Sequence, residues 1–334
     1  MRNLWDKDRN YSLLRVYVDM CTRASYRRLR VSGSLPEGEA FIIAPNHTGT
    51  LMDALVVLQS RPQGTVFGAR ADIFRKPVVA RIMHFLKIVP MVRARDGIRE
   101  VARNRETMQT IGEVLAHGLP FCMFPEGRHR PMHSLLPLKK GVARIAFESA
   151  AQRRTLLVPA GIEYDDFFHY RGTCALRYGE PIDVNAFLTA REGAGEAQLT
   201  RELLDELADR MKGLILYIPD DGNYEAVLRE KRPPRRPWWR WLLAPVILPF
   251  WLLSAVLSLP LWATAEYIAH CKVQDPAFRN TVRFGVRLAG TPVLLIIWAV
   301  AAFLLLNPWL AALLLVYFIH SYSIFYDGLN LLRR

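Results

Sequence analysis

The sequence predicts an α/β domain, a mainly parallel sheet flanked by helices, followed by a C-terminal membrane-embedded helical region. Three observations carry that expectation. Short apolar runs alternate with helix-length amphipathic stretches over the first 220 residues, an order that favours parallel strands joined by helical crossovers. Two stretches without a charged side chain, residues 242–263 and 288–326, lie in the C-terminal third, and runs of that length suit a bilayer better than a soluble core. The charge divides at the same place: residues 1–240 hold 38 Lys and Arg against 28 Asp and Glu, and the remainder holds six against three.

Taken in order, residues 1–30 predict an amphipathic helix. Leu13, Val16, Tyr17 and Met20 fall near one face, with Arg15, Arg23, Arg27, Arg28 and Arg30 around them. Such a helix suits an anionic membrane surface or an ordinary packed position. Strand-like runs follow at 41–44, 66–69, 88–92, 121–124, 156–162 and 174–178, with helix-like stretches at 51–60, 77–86, 98–117 and 141–152 between them. Ile98, Val101, Met108, Ile111 and Leu115 keep helical spacing, and Leu199, Leu203, Leu207, Met211 and Leu214 form a further stripe suited to core packing. The expected domain therefore covers residues 31–224. Residues 225–241 read as a basic linker rich in Pro and Trp, and 242–334 as the membrane region. A chain ending near Tyr224 holds the whole α/β pattern and is expected to fold apart from the rest.

In the membrane region, Pro245, Pro249 and Pro260 predict a kinked or re-entrant first segment. Asn307-Pro308 divides the second run, which fits one long tilted helix or a hairpin of two short ones. Basic residues and tryptophans at 229–241 mark a cytoplasmic flank and an interface. Residues 1–10 are polar and charged, so no secretory signal is expected there.

The net charge of +13 points to a negatively charged partner. Residues 61–105 concentrate it, with eleven basic and three acidic side chains. No helix-turn-helix, RNP or zinc-finger pattern accompanies the charge, so nucleic acid is not the expected partner. The four cysteines are far apart, with no CxxC pair, which excludes a disulfide framework and a zinc ladder.

Two segments bear chemistry, each directly after an apolar strand. In Ala44-Pro45-Asn46-His47-Thr48-Gly49-Thr50-Leu51-Met52-Asp53, a neutral imidazole can act as general base and a carboxylate can fix its tautomer. A turn with Thr48 or Thr50 capping the next helix is the structural alternative. In Phe124-Pro125-Glu126-Gly127-Arg128-His129-Arg130, the glycine permits close backbone approach and the arginines suit phosphate. Lys139-Lys140-Gly141 then opens a helix, a favourable place for an anion. His129 and His133 have i,i+4 spacing, but Pro131 intervenes and no third metal ligand is evident.

Together these segments resemble the glycerolipid acyltransferase family typified by bacterial 1-acylglycerol-3-phosphate acyltransferase. Asn46-His47 with Asp53 is similar to its NH-x4-D block, and Phe124-Pro125-Glu126-Gly127 to its FPEG block. Residues 68–74 and 88–93 resemble the Arg-bearing second block, and 158–162 the Pro-containing fourth; order and spacing agree over about residues 30–220. One spacing departs, because five residues separate His47 from Asp53 instead of four. On an uninterrupted helix the extra residue would turn Asp53 by about 100°, although Gly49 lies in the gap and can absorb it as a turn.

The resemblance implies acyl transfer from an acyl thioester, acyl-CoA or acyl-acyl carrier protein, to the hydroxyl of a glycerol-phosphate-type acceptor. Lysophosphatidic acid giving phosphatidic acid is the leading acceptor, and glycerol 3-phosphate or another lysolipid the alternative. His47 would be the general base and Asp53 its orienting partner. Arg93, Glu126, Gly127, Arg128 and Lys139 would bind substrate, and no metal or other cofactor is implied. The resemblance further implies an integral protein of a bacterial inner membrane, with its catalytic domain on the cytoplasmic side against anionic lipid. The rival reading is a lipid-binding or scaffold protein on the same fold without catalysis, and the longer gap is its motive.

Overall fold

The computed structural model describes residues 3–91, 99–231 and 244–333. It opens with α1 (Arg9–Ala24), β1 (Arg28–Ser32), β2 (Ala40–Pro45), α2 (Leu51–Gln59), β3 (Val66–Arg70), α3 (Pro77–Phe85) and β4 (Ile88–Met91). Then come α4 (Arg99–Ala116), β5 (Phe121–Cys122), α5 (Gly141–Ala150), β6 (Thr155–Tyr164), β7 (Thr173–Tyr178) and β8 (Ile182–Asp183). Helices complete the chain: α6 (Val184–Thr189), α7 (Glu196–Lys212), α8 (Tyr224–Lys231), α9 (Ala244–Leu257), α10 (Leu259–Cys271), α11 (Arg279–Leu305) and α12 (Pro308–Arg333).

Among the described residues the sheet runs β1-β7-β6-β2-β5-β3-β4, with β8 beside β6. β2 pairs in parallel with β5 and β6, β3 with β5 and β4, and β1 with β7; β6 is antiparallel to β7 and β8. Both faces are covered, which explains why β2 reads as an unbroken apolar run. Ile42 and Ala44 pack on one side with residues of α4, α5 and α7, while Phe41 and Ile43 pack on the other with residues of α2. The parallel pairing brings the C-terminal ends of β2, β5 and β6 to one edge of the sheet, where open α/β sheets build their sites.

The N-terminal expectation needs correction. The helix stops at Ala24, and Arg28–Ser32 is a strand instead. Leu29 and Val31 alternate there with Arg28 and Arg30, a period of two rather than 3.6. In α1 itself the apolar stripe points outward: Leu13, Val16 and Met20 are each more than 60% exposed or at that level, at 66%, 60% and 62%. Arg15 is instead buried, paired with Asp19 and donating to the carbonyls of Leu58 and Arg61. Helix α8 occupies the start of the expected linker, and the remainder of that linker lies outside the described residues.

Among the described residues, the C-terminal third holds two helices long and apolar enough to cross a membrane, Pro276–Leu305 and Pro308–Leu331. A third candidate is the pair Pro245–Leu257 and Leu259–Cys271, bent by 75°. Pro260 begins α10 rather than interrupting a helix, as its fixed φ allows. The second apolar run is thus a hairpin, but of long helices. Its first helix begins at Arg279, recruiting Arg283 and Arg287, which lie outside the charge-free run.

The membrane helices are not a separate appendage. Phe284 of α11 is buried in the same core as Tyr26, Val56 and Tyr164, and Tyr170 of the domain is buried among Leu257, Phe318 and Tyr322. Arg287 donates to Ala24 O at 2.8 Å, Arg283 to Phe168 O at 2.8 Å, and Arg171 pairs with Asp327 at 2.6 Å. The expectation that residues up to Tyr224 fold alone does not fit these shared cores.

Candidate active site

The site starts where β2 ends. Asn46 continues the β2–β6 contact with its side chain: Nδ2 donates to Ile162 O at 3.0 Å, and Ile162 N donates to Oδ1 at 2.6 Å. This pair of hydrogen bonds fixes the loop that carries His47. The His47 Nδ1 lies 2.8 Å from Asp53 Oδ2, which also accepts from the backbone N–H groups of Thr48 and Gly49 at 2.8 Å each. Tyr164 Oη donates to Asp53 Oδ1 at 2.6 Å. Burial, reinforced by the Asp53 charge, pushes the Tyr164 phenol well above its ordinary pKa, so it is the donor. Asp53 is fully buried, and these four bonds compensate the desolvation of its carboxylate. With the Nδ1 proton aimed at Asp53, Nε2 is the ring's basic nitrogen.

The five-residue gap has a local solution. Helix α2 begins at Leu51, so His47 stands on the preceding loop while Asp53 is in the first helical turn. Thr50 takes a left-handed φ of 56°, uncommon for a side-chain-bearing residue, and the chain turns there rather than rotating Asp53 away. Gly49 is needed for another reason. A Cβ at this position would stand 2.7 Å from Asp53 Oδ1 and 2.8 Å from Tyr164 Oη.

The segment after β5 supports His47 from the other side. Phe124 stacks on the His47 ring with centroids 4.2 Å apart. Glu126 is buried, and both its oxygens accept backbone protons, from His47 N at 2.7 Å and Leu136 N at 2.9 Å. Burial raises the Glu126 carboxyl pKa against the opposing effect of those N–H groups. The Glu126 carboxylate thus joins the two loops and positions the His47 backbone.

The remaining expected residues differ in placement. Gly127 has a left-handed φ of 69°, and its missing Cβ would lie 3.4 Å from Lys139 Cγ, so Gly127 and Lys139 adjoin. Lys139 N donates to Pro125 O at 2.7 Å and the residue is exposed. Arg128 is exposed. Arg130 is engaged with Asp220 and with Ser134 Oγ, while its backbone N–H donates to His47 O at 2.9 Å. Arg93 lies outside the described residues. His129 and His133 do not converge, since His129 pairs with Asp275 and His133 packs against Phe167. Tyr164 and Asp275 escaped sequence reasoning, because nothing in their neighbourhoods along the chain links them to His47.

Residues 28–163 match a family model described as Acyltransferase. These residues are an acyltransferase-family domain. Within the matched span lie β2, the His47–Asp53 pair and the Glu126 clamp, and all of α9–α12 lies beyond it. "Glycerol-3-phosphate O-acyltransferase 2" of Saccharomyces cerevisiae is 30% identical over 37% of this chain and 17% of its own length. "Glycerol-3-phosphate O-acyltransferase 1" of the same yeast is 31% identical over 35% of this chain and 16% of its own. The chain thus spans less than a fifth of these curated relatives. A crystal structure of the 1-acyl-sn-glycerophosphate (LPA) acyltransferase PlsC from Thermotoga maritima aligns with a TM-score of 0.43 and 19% identity, over 69% of this chain and 86% of that one.

Proposed function

We propose that the chain is a membrane-bound O-acyltransferase that moves an acyl group from a thioester, acyl-CoA or acyl-acyl carrier protein, to a glycerol-phosphate-type acceptor. The 2.8 Å pair of His47 Nδ1 and Asp53 Oδ2 inside an acyltransferase-family domain carries this reading. His47 Nε2 takes the proton of the acceptor hydroxyl as its oxygen attacks the thioester carbonyl carbon. Asp53 holds the ring and balances the imidazolium charge. The tetrahedral oxyanion then collapses, the C–S bond breaks, and the proton passes from His47 to the leaving thiolate. Lys139, beside Gly127, and Arg128 and Arg93 are assigned to the acceptor phosphate, whose charge suits such donors.

Lysophosphatidic acid, giving phosphatidic acid, is one acceptor. Glycerol 3-phosphate is the other, and the likeness to the two yeast glycerol-3-phosphate O-acyltransferases favours it. The scaffold reading loses its motive, since the longer gap leaves His47 and Asp53 joined. Anionic lipid is the proposed surface for the outward apolar stripe of α1 and its neighbouring arginines, with the domain on the cytoplasmic side. The test is thiol release from acyl-CoA by the full chain in detergent, with each acceptor in turn. Acceptor-dependent release that falls by about 10²–10⁴-fold in His47→Ala is expected. Undiminished release by a folded His47→Ala protein would refute the mechanism.

A further inference from the structure

We propose that His129, held by Asp275 of the membrane region, is a positioning residue for His47, so that the active site is completed by the C-terminal third of the chain. The inference rests on the reading of His47 as the general base.

The contacts form a series from α11 to the His47 ring. Thr281 Oγ1 lies 2.8 Å from Thr50 Oγ1, inside the turn between His47 and Asp53. Asn280 Nδ2 donates to Phe167 O at 3.0 Å. These bonds hold the start of α11 against the domain and leave the segment before it directly over the His47 loop. There Asp275 uses both oxygens. Oδ1 accepts from Ala277 N at 2.9 Å, which fixes the short turn Pro276–Phe278, and Oδ2 lies 2.8 Å from His129 Nε2. The hydrogen bond from His129 draws the Asp275 carboxyl below its ordinary pKa, so Asp275 is ionised near neutrality. Phe278 meets the same imidazole edge-on, with centroids 5.1 Å apart and planes at 86°.

His129 is thereby immobilised from the membrane side, and it in turn meets His47 in an edge geometry, with centroids at 5.8 Å and planes at 78°. Phe124 already stacks on the His47 ring. The His47 imidazole is bracketed by Phe124, just beyond β5, and by a second ring that Asp275 holds. A general base works only within a narrow range of positions, and misplacement by about 1 Å can cost on the order of 100-fold in rate. A His129 released from Asp275 regains its side-chain rotamers and ceases to limit the swing of His47. The domain's own residues supply the base and its carboxylate; the membrane region supplies the restraint.

The experiment uses the full chain in detergent. His129→Ala, Asp275→Ala and the double variant are compared for acyl transfer at saturating acceptor, and Asp275→Asn is included because it keeps the acceptor for Ala277 N. Each alanine variant is expected to lose roughly 10- to 100-fold in kcat with acceptor KM almost unchanged. The double variant should be no worse than the poorer single, because both act through one contact. The exchange His129→Asp with Asp275→His restores a tie between the two segments but removes the imidazole from beside His47, and is expected to stay slow. Recovery of wild-type kcat by the exchange would reduce the pair to a tether and overturn the proposal.

A second readout does not need turnover. Carbethoxylation of His47 by diethyl pyrocarbonate, resolved by peptide mass spectrometry, should speed up several-fold in Asp275→Asn and His129→Ala. If wild-type protein transfers no acyl group and the labelling still changes, the reading of His47 as base fails while its positioning stands. Unchanged labelling in both folded variants would overturn the positioning role.

Discussion

Gly49→Ala tests the geometry of the proposed catalytic pair, His47 and Asp53, by adding one methyl group. Gly49 is outside the left-handed backbone region, so alanine brings no conformational penalty of its own, and the effect reduces to contact. The new Cβ would stand 2.7 Å from Asp53 Oδ1 and 2.8 Å from Tyr164 Oη. Close carbon–oxygen approaches settle near about 3.3 Å, so each oxygen must yield by roughly half an ångström. Neither has free space to yield into: Asp53 is fully buried, and Tyr164 is 6% exposed. The carboxylate also receives Thr48 N–H and Gly49 N–H on its other oxygen, so moving Oδ1 turns Oδ2 away from His47. A displacement of this size predicts a loss of about 10- to 100-fold in kcat, or ~1.4–2.7 kcal/mol of barrier. Overpacking of a tight site predicts about 1–3 kcal/mol of lost stability. Initial rates at saturating acceptor and thermal unfolding in detergent measure the two. A Gly49→Ala protein with wild-type kcat and melting temperature would refute the tight buried contact on which the argument rests.

Glu126→Gln turns one carboxylate oxygen into an N–H donor facing a backbone N–H, and should cost about 1–3 kcal/mol of stability and lower kcat without raising acceptor KM. Because burial raises the Glu126 pKa, the folded state holds its proton more tightly than the unfolded chain. Stability from this group is present below the ordinary carboxylate pKa and is lost as pH rises through the raised value; melting temperature against pH should show that slope in wild type and lack it in Glu126→Gln. Lys139→Ala should chiefly raise acceptor KM, by about 1.5–3 kcal/mol of binding for a lost charged hydrogen bond; an equal loss with a phosphate-free acceptor analogue would make its role structural. A chain ended after Lys231 keeps every sequence block but loses Phe284 from the core and uncovers Tyr170, so it should aggregate or unfold in a sedimentation assay, and a monodisperse, folded fragment would contradict the shared core.

Most of the sheet was legible because its strands are buried on both faces and carry continuous apolar runs, as in β2 and β6. β1 was not, because an edge strand with one partner has little to bury: apart from half-buried Leu29 its residues are exposed. Its arginines instead extended the basic character of α1 and concealed the change of period. The pairing of His47 with Asp53 was legible as chemistry, but its geometry was not, because a count of residues assumes a helix where the chain makes a turn at Thr50. The tie made by Glu126 was hidden for a related reason: the N–H groups of His47 and Leu136 are backbone atoms that a sequence does not display. Tyr164 lies 111 positions from Asp53, and contact at that separation is created by the β2–β6 pairing alone.

The outward apolar residues give the site a place relative to lipid. Leu13, Val16 and Met20 of α1 and Val78, Ile82 and Phe85 of α3 are exposed, and the edge contact of Tyr11 with Phe85 sets the two helices side by side. Tyr17 Oη donates to Leu288 O at 2.8 Å, tying α1 to α11, whose Val293, Ile296 and Ile297 face outward in turn. Exposed apolar faces beside a helix long and apolar enough to cross a membrane suit a lipid surface. Thr281 reaches the catalytic turn two residues into the same helix, while Val293 lies 12 residues further on, about 18 Å along the axis. The His47–Asp53 pair therefore sits beside the end of α11 that carries Arg279, Arg283 and Arg287, and the apolar length of that helix begins beyond. That height suits an acceptor whose phosphate stays in the headgroup layer, close to Lys139 and Arg128. A lysolipid would keep its chain in the hydrocarbon while its hydroxyl met His47, and glycerol 3-phosphate would reach the same place from water.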